Sequence, residues 1–399
     1  MRSTATRTVQ KRLKLLALTL TGALVLAACA GEESAETAPD EGPSDAADEP
    51  TDEQVAAELA NLNAAWENDP QELGLDPIEP PADEIVLNDT SEFATEGPYK
   101  IAFASQGPTN SWALTYDQSL LYHAEQNYPD LEILYADANG DADQQVNDIE
   151  DLLVQGPDAL IVTPLGAAIT GSLERAAAEG VPVVLCTGRV DTDAFVTRID
   201  RDNRLNGTLT AEWIAKEIDY EGQIVMISGI PGVPTAEDRL AAANAVFEQY
   251  PDIEILAHEY ANWSPTEGKV VMEGLLVAHD NIDAVWSDSG FLSGAVEAFT
   301  EAGRDIPPLS AEPVNGFLRV AAENDLEFVA VGYPPDHSTA CLDAAVDILE
   351  GEPQPSFINV DAEVFTHERL DDFYVPECGD DLWVPSTLPE DRLDELNLC

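Results

Sequence analysis

Lys100-Ile101-Ala102-Phe103-Ala104-Ser105-Gln106-Gly107-Pro108-Thr109-Asn110-Ser111-Trp112 is the stretch from which the fold is read. Six residues of apolar, β-forming texture end in a loop with Gly and Pro, and a helical period then runs over 111–127. The same unit recurs down the chain. Strands are expected at 100–105, 131–136, 158–163, 181–186, 195–199, 223–228, 253–258, 282–286 and 327–333. Helices are expected between most of them, as at 143–155, 167–179 and 203–218. Strands alternating with helices imply an α/β protein with parallel sheets covered on both faces. Such a length is too great for one sheet, so the chain predicts two doubly wound lobes.

Upstream of Lys100 the texture differs. Arg2, Arg7, Lys11, Arg12 and Lys14 precede an apolar run over 15–28 that ends Leu26-Ala27-Ala28-Cys29. This is the order of a secretory signal: basic end, apolar core, small residues at the cleavage site. A cysteine directly after the small residues resembles a bacterial lipobox, which implies that Cys29 becomes the acylated mature N-terminus. The protein is then expected outside the cytoplasm, anchored to the outer face of the cytoplasmic membrane. Residues 30–54 hold ten acidic residues among Ala, Pro, Ser and Thr, and read as a tether. Val55, Leu59, Leu62 and Trp66 predict a short amphipathic helix ending before Pro70, within an arm over 55–97 that packs on the main domain.

The formal net charge is −59, and 13 basic residues remain outside the leader against 77 acidic ones in the whole chain. Such a surface repels nucleic acid and anionic headgroups and excludes both as partners. The acidic excess continues past the tether, which points to a salty medium where screening removes self-repulsion. The five histidines and five cysteines show no metal spacing, and no cofactor is expected. Cys186 reads as a buried thiol. Cys341, Cys378 and Cys399 fall in an oxidising compartment, and a Cys341–Cys378 disulfide is the pairing expected, although spacing leaves the connectivity open.

Ligands of open parallel sheets bind beyond the C-terminal strand ends. The loops there carry hydroxyls, amides, carboxylates and aromatics, a chemistry that suits a polyhydroxylated ligand. From about Tyr99 to Leu388 the order of these loops resembles the type I periplasmic-binding-protein superfamily, specifically the ribose-type sugar-binding proteins of ABC importers. The stretches that carry it are Pro182-Val183-Val184-Leu185, Ile199-Asp200-Arg201-Asp202-Asn203, Ile227-Ser228-Gly229-Ile230-Pro231-Gly232 before Arg239, and Asn281-Ile282-Asp283-Ala284-Val285-Trp286.

The resemblance implies two lobes joined by a three-strand hinge, with crossings near Arg201, Tyr333 and Asp361. Lobe 1 would hold 98–201 and 334–361, lobe 2 would hold 202–333 and 362–390, and 391–399 would form a tail. It also implies the ligand set: Asn110 and Trp112 from the first loop, Arg239 and Trp263 from the second lobe, and Asp288 where an amide is usual. Arg189 and Asp202 complete the candidates. The chain departs from ribose binders at Thr187-Gly188, Pro265 and Glu312. The solute is thus a sugar, a polyol or another small polar molecule.

Each candidate has a second role open to it. Trp112 could begin a helix core, Arg239 could pair with Glu237 or Asp238, and Asp288 and Asp202 could cap helices. The leading expectation is a monomeric solute receptor feeding an ABC permease. A sensor of the same fold, feeding a chemotaxis, kinase or quorum partner, is the alternative. No GxSxG, HExxH or Walker pattern supports an enzyme.

Overall fold

The structure is a computed structural model of the 399-residue chain, and it describes residues 64–80, 85–290 and 292–399. Cys29 with its leader, the tether, and Val55, Leu59 and Leu62 lie outside the described residues.

One six-stranded sheet contains β2 (Lys100–Ser105), β3 (Glu132–Asp137), β4 (Ala159–Val162), β5 (Val183–Cys186), β6 (Thr197–Asp200) and β13 (Phe357–Asn359), in the order β13-β6-β5-β4-β2-β3. All its pairings are parallel. A second six-stranded sheet contains β7 (Gly222–Ser228), β8 (Ile253–Tyr260), β9 (Ala284–Ser287), β10 (Leu309–Ala311), β11 (Phe328–Val331) and β14 (Val364–Thr366), in the order β14-β11-β10-β9-β7-β8. Here only the edge strand β14 runs antiparallel, against β11. Strands buried on both faces read as continuous apolar runs, and β4, β5, β9 and β11 are buried throughout. The two lobes expected from the strand–helix alternation are present.

The chain passes from the first sheet to the second between β6 and α5 (Asn203–Glu217). It returns after β11 into α10 (Ser338–Leu349), which packs on β4, β5 and α2 (Ser111–Asn127). It crosses again between β13 and β14. Side-chain caps set where several helices begin. Asn110 Oδ1 accepts from Ala113 N at 2.9 Å at the start of α2, and Asp202 Oδ1 accepts from Arg204 N at 3.0 Å at the start of α5. In lobe 2, α5 lies against α6 (Pro234–Phe247) so closely that a Cβ on Gly207 would come within 2.1 Å of Arg239 O. Glycine is required there by the approach of two backbones.

Two expectations are corrected. The first helix among the described residues, α1 (Ala64–Glu72), continues through Pro70 instead of ending before it. Trp66, Asp69, Pro70 and Leu73 are all buried, and docking on lobe 2 offsets the hydrogen bond that proline removes. The disulfides also differ. Cys186 pairs with Cys341, 6.0 Å apart at Cα, and Cys378 pairs with Cys399. Cys341 lies on the lobe 1 face of α10, directly over the end of β5, so Cys186 is within reach and the expected Cys341–Cys378 bond does not form. Among the described residues no helix is long and apolar enough to cross a membrane.

Candidate functional site

Groups from both lobes and from the second crossing converge on Tyr333. Trp112, in the first turn of α2, is 8% exposed and stacks on Tyr333 with ring centroids 5.4 Å apart and an interplanar angle of 23°. Its Nε1 donates to Tyr333 O at 2.8 Å, and Tyr116 also stacks on it, with ring centroids 5.0 Å apart. The rings thus cover one another, and Trp112 and Tyr333 are both buried. Tyr333 Oη donates to Asp200 Oδ1 at 2.7 Å, at the end of β6.

On the opposite face of Tyr333 lies Arg239 of α6, its guanidinium carbon 4.5 Å from the ring centroid. The arginine is 1% exposed. Nε donates to Asn203 Oδ1 at 2.8 Å, and Nη1 donates to Asp288 O at 2.6 Å and Glu312 Oε1 at 2.9 Å. Nη2 is buried with no hydrogen-bond partner. A buried guanidinium nitrogen carries N–H donors that call for an acceptor.

Asp288 accepts from Gly229 N and from Trp263 Nε1, both at 3.3 Å. Burial pushes its carboxyl up to about 6 although Arg239 pulls it down. Burial likewise raises Glu312 to about 7, again against the pull of Arg239. One arginine thus serves two desolvated carboxylates, which leaves the lobe 2 side of the site rich in acceptors. Trp263 has φ 52°, a left-handed backbone seldom taken by a bulky residue. Its indole lies over Gly229, where a Cβ would come within 2.0 Å of the ring.

His337 closes the lobe 1 side. Its Nδ1 lies 2.6 Å from Pro334 O, an acceptor only, so Nδ1 carries the proton and Nε2 accepts from Thr187 Oγ1 at 2.6 Å. Burial lowers this imidazole to about 4 and keeps it neutral.

The structure therefore brings Trp112, Arg239, Trp263 and Asp288 together and places the other three candidates elsewhere. Asn110 is exposed and caps α2. Asp202 caps α5 and accepts from Arg204 Nη2 at 2.9 Å. Arg189 reaches across the cleft mouth to Asp238, with Nη2 to Oδ1 at 2.8 Å and Nε to Oδ2 at 3.0 Å. Tyr333, Asp200, Asn203, Glu312 and His337 belong to the cluster but were not among the candidates. Tyr333 had a signal, since it follows a strand end at a crossing. Of the partners of Arg239, Asp288 was a candidate, whereas nothing tied Asn203 and Glu312 to the arginine, because they come from separate segments. An open recess of about 660 Å³ on lobe 1, lined by Glu174, Arg189, Asp193 and Phe195 among others, shares only Arg189 with these groups and lacks their burial. Among the described residues no three His, Cys, Asp or Glu side chains are grouped to hold a metal.

Residues 101–353 match the periplasmic binding protein domain family. This chain belongs to that family. It is 28% identical over 240 residues to a ribose import binding protein of Bacillus subtilis (strain 168), with 60% of this chain and 78% of that protein aligned. It is 26% identical over 228 residues to a xylitol-binding protein of Mycolicibacterium smegmatis, covering 56% and 65%. Among solved structures, the periplasmic component of the arabinose ABC transporter from Shewanella sp. ANA-3, bound to α- and β-L-arabinofuranose, superposes with a TM-score of 0.64. That pair is 26% identical and covers 68% of this chain and 93% of the other. In this periplasmic binding protein, as the sequence led one to expect, there are two lobes, each built on a largely parallel sheet.

Proposed function

We propose that this periplasmic binding protein captures a sugar or polyol between its lobes and delivers it to an ABC permease by opening and closing its hinge. The observation that carries the reading is Arg239. It is buried at the junction of both lobes, faces the Trp112–Tyr333 stack, and keeps one nitrogen free of partners. A ligand with several hydroxyls supplies an acceptor for that nitrogen and donors for Asp288 and Glu312, and its CH face packs on the partly buried Trp263 indole. Contacts made to both lobes at once exist only in the closed state, so binding shifts the population toward closure. The Arg189–Asp238 pair across the mouth adds to closure as an exposed latch of small worth. The protein works by binding and release, with no turnover of the solute.

Thermal-shift screening at high salt against L-arabinose, D-ribose, D-galactose, D-allose, xylitol and myo-inositol tests this. Ligand at a hundred times its Kd stabilises the native state by about 2.7 kcal/mol and raises Tm visibly. No shift with any of the six overturns the reading.

The lipobox-like run ending in Cys29 supports membrane anchoring as part of the same function. Mass spectrometry of the mature protein is expected to find an acylated Cys29 at the N-terminus; an unmodified N-terminus overturns the anchor.

A further inference from the structure

Among the described residues, the buried acids of the site outnumber the cations that face them. Asp200 has its own arginine, since Arg198 Nη1 donates to its Oδ2 at 3.3 Å beside the bond from Tyr333 Oη. Asp288 and Glu312, 1% and 5% exposed, have only Arg239 between them. Arg239 directs Nη1 to Glu312 Oε1 and to the main-chain O of Asp288. The Asp288 carboxylate is left to two neutral donors, Gly229 N and Trp263 Nε1, each at the long distance of 3.3 Å. His337 adds no positive charge, because its buried imidazole stays neutral down to about 4.

Two carboxylates against one guanidinium leave one negative charge in excess, out of water. Buried charges persist when paired, and an unpaired one is costly. Burial raises both carboxyls for this reason, and a cation brought into contact with them relieves the same cost. Arg239 Nη2, buried and without a partner, calls for an acceptor on the same ligand. Hydroxyls together with one ammonium answer both demands. A carboxylate or phosphate on the solute would add charge of the sign already in excess, and the net charge of −59 repels it at a distance.

We infer, resting on the sugar-receptor reading, that the solute is an amino sugar or amino polyol whose ammonium meets the Asp288 carboxylate while a hydroxyl accepts from Arg239 Nη2. A neutral sugar still binds through its hydroxyls but leaves the excess charge unanswered. Asp288 is then the residue that sets the preference for an amine.

The test compares neutral solutes with amines of the same skeleton: D-galactose with D-galactosamine, D-glucitol with D-glucamine, and myo-inositol with aminodeoxyinositol. Titration calorimetry is run on the full chain at neutral pH in about 1 M NaCl, which screens attraction to the exposed acidic surface. At least one amine is expected to bind about tenfold or more tighter than its neutral partner. Asp288→Asn keeps the shape and removes one negative charge, which brings the carboxylates level with Arg239. In that variant the ratio of the two Kd values is expected to fall to about threefold or less. Glu312→Gln corrects the same imbalance and takes its place where circular dichroism shows that Asp288→Asn does not fold. Neutral partners that bind as tightly as the amines in every pair overturn the inference and leave the sugar receptor standing. Binding in no pair overturns both. An amine preference that survives in both folded variants overturns the role given to the excess carboxylate.

Discussion

Arg239 concentrates the site's physics in one side chain. It is planar, permanently charged and forked, so it reaches Asn203 Oδ1, Asp288 O and Glu312 Oε1 together while its face covers Tyr333. Arg239→Met leaves Glu312 and Asp288 buried with no cation and is expected to cost about 3–5 kcal/mol in urea unfolding, the range for breaking a buried pair. A cost under 1 kcal/mol would mean that the two carboxyls already carry protons and need no counter-charge. Gly229 makes the complementary case, because its lack of a side chain lets the Trp263 indole lie on the backbone. Gly229→Ala pushes the ring off Asp288 and is expected to weaken binding of the best compound from the thermal-shift screen at least about tenfold, or 1.4 kcal/mol. Titration calorimetry measures it, with circular dichroism confirming the fold. Unchanged affinity would remove Trp263 from the ligand's contacts.

At the scale of elements, the bond from β5 to α10 is the one that organises the molecule. Cys186 and Cys341 are 155 residues apart, and the chain between them builds nearly all of the second lobe. The disulfide therefore ties the departure from lobe 1 to the return into it. Replacing both cysteines by serine is expected to lower stability by roughly 2–5 kcal/mol, read as a lower urea midpoint with a steeper slope, because the unfolded chain loses its cross-link. A midpoint equal to the parent's would show that packing of α10 alone holds the return.

This bond also marks where sequence reading stopped. The long alternating units were legible because each buried strand is an apolar run and each helix starts at a cap such as Asn110 or Asp202. Three-residue strands such as β10, β13 and β14 carry too few positions to show a period, and they form only because a neighbouring strand offers an edge. Cysteine pairing depends on which strand a helix returns to, which is a property of the topology. Within the site, Trp112 and Arg239 were legible as single residues following strand-end loops. Of the ring around Arg239 only Asp288 was legible, since Asn203 and Glu312 join it only once the second sheet is assembled.

For the whole molecule, the decisive quantity is charge. Asp117 and Asp288 are raised to about 6 and Glu312 to about 7, in each case chiefly by burial. Their native forms take up protons at a higher pH than the unfolded chain does, so stability rises as pH falls from about 8 toward 5. His337 acts oppositely. The unfolded imidazole charges below its ordinary 6.5 while the buried one stays neutral to about 4, so stability is lost as pH falls between those values. The histidine cost overlaps the carboxyls' gain and offsets only part of it, so stability climbs less steeply below about pH 6.5 than the three carboxyls alone would give. Surface repulsion from a net charge of −59 pushes the same way, because protonation relieves it. Salt separates the two causes. At 1 M the Debye length is about 3 Å, so repulsion between exposed charges is screened while desolvation of buried carboxyls is not. Thermal unfolding at pH 8 is expected to shift upward in 1 M NaCl, and moving from pH 8 to pH 6 in that salt is expected to raise Tm further. A gain on acidification that vanishes in salt would assign it to the surface alone and leave Asp288 and Glu312 with no net effect on stability.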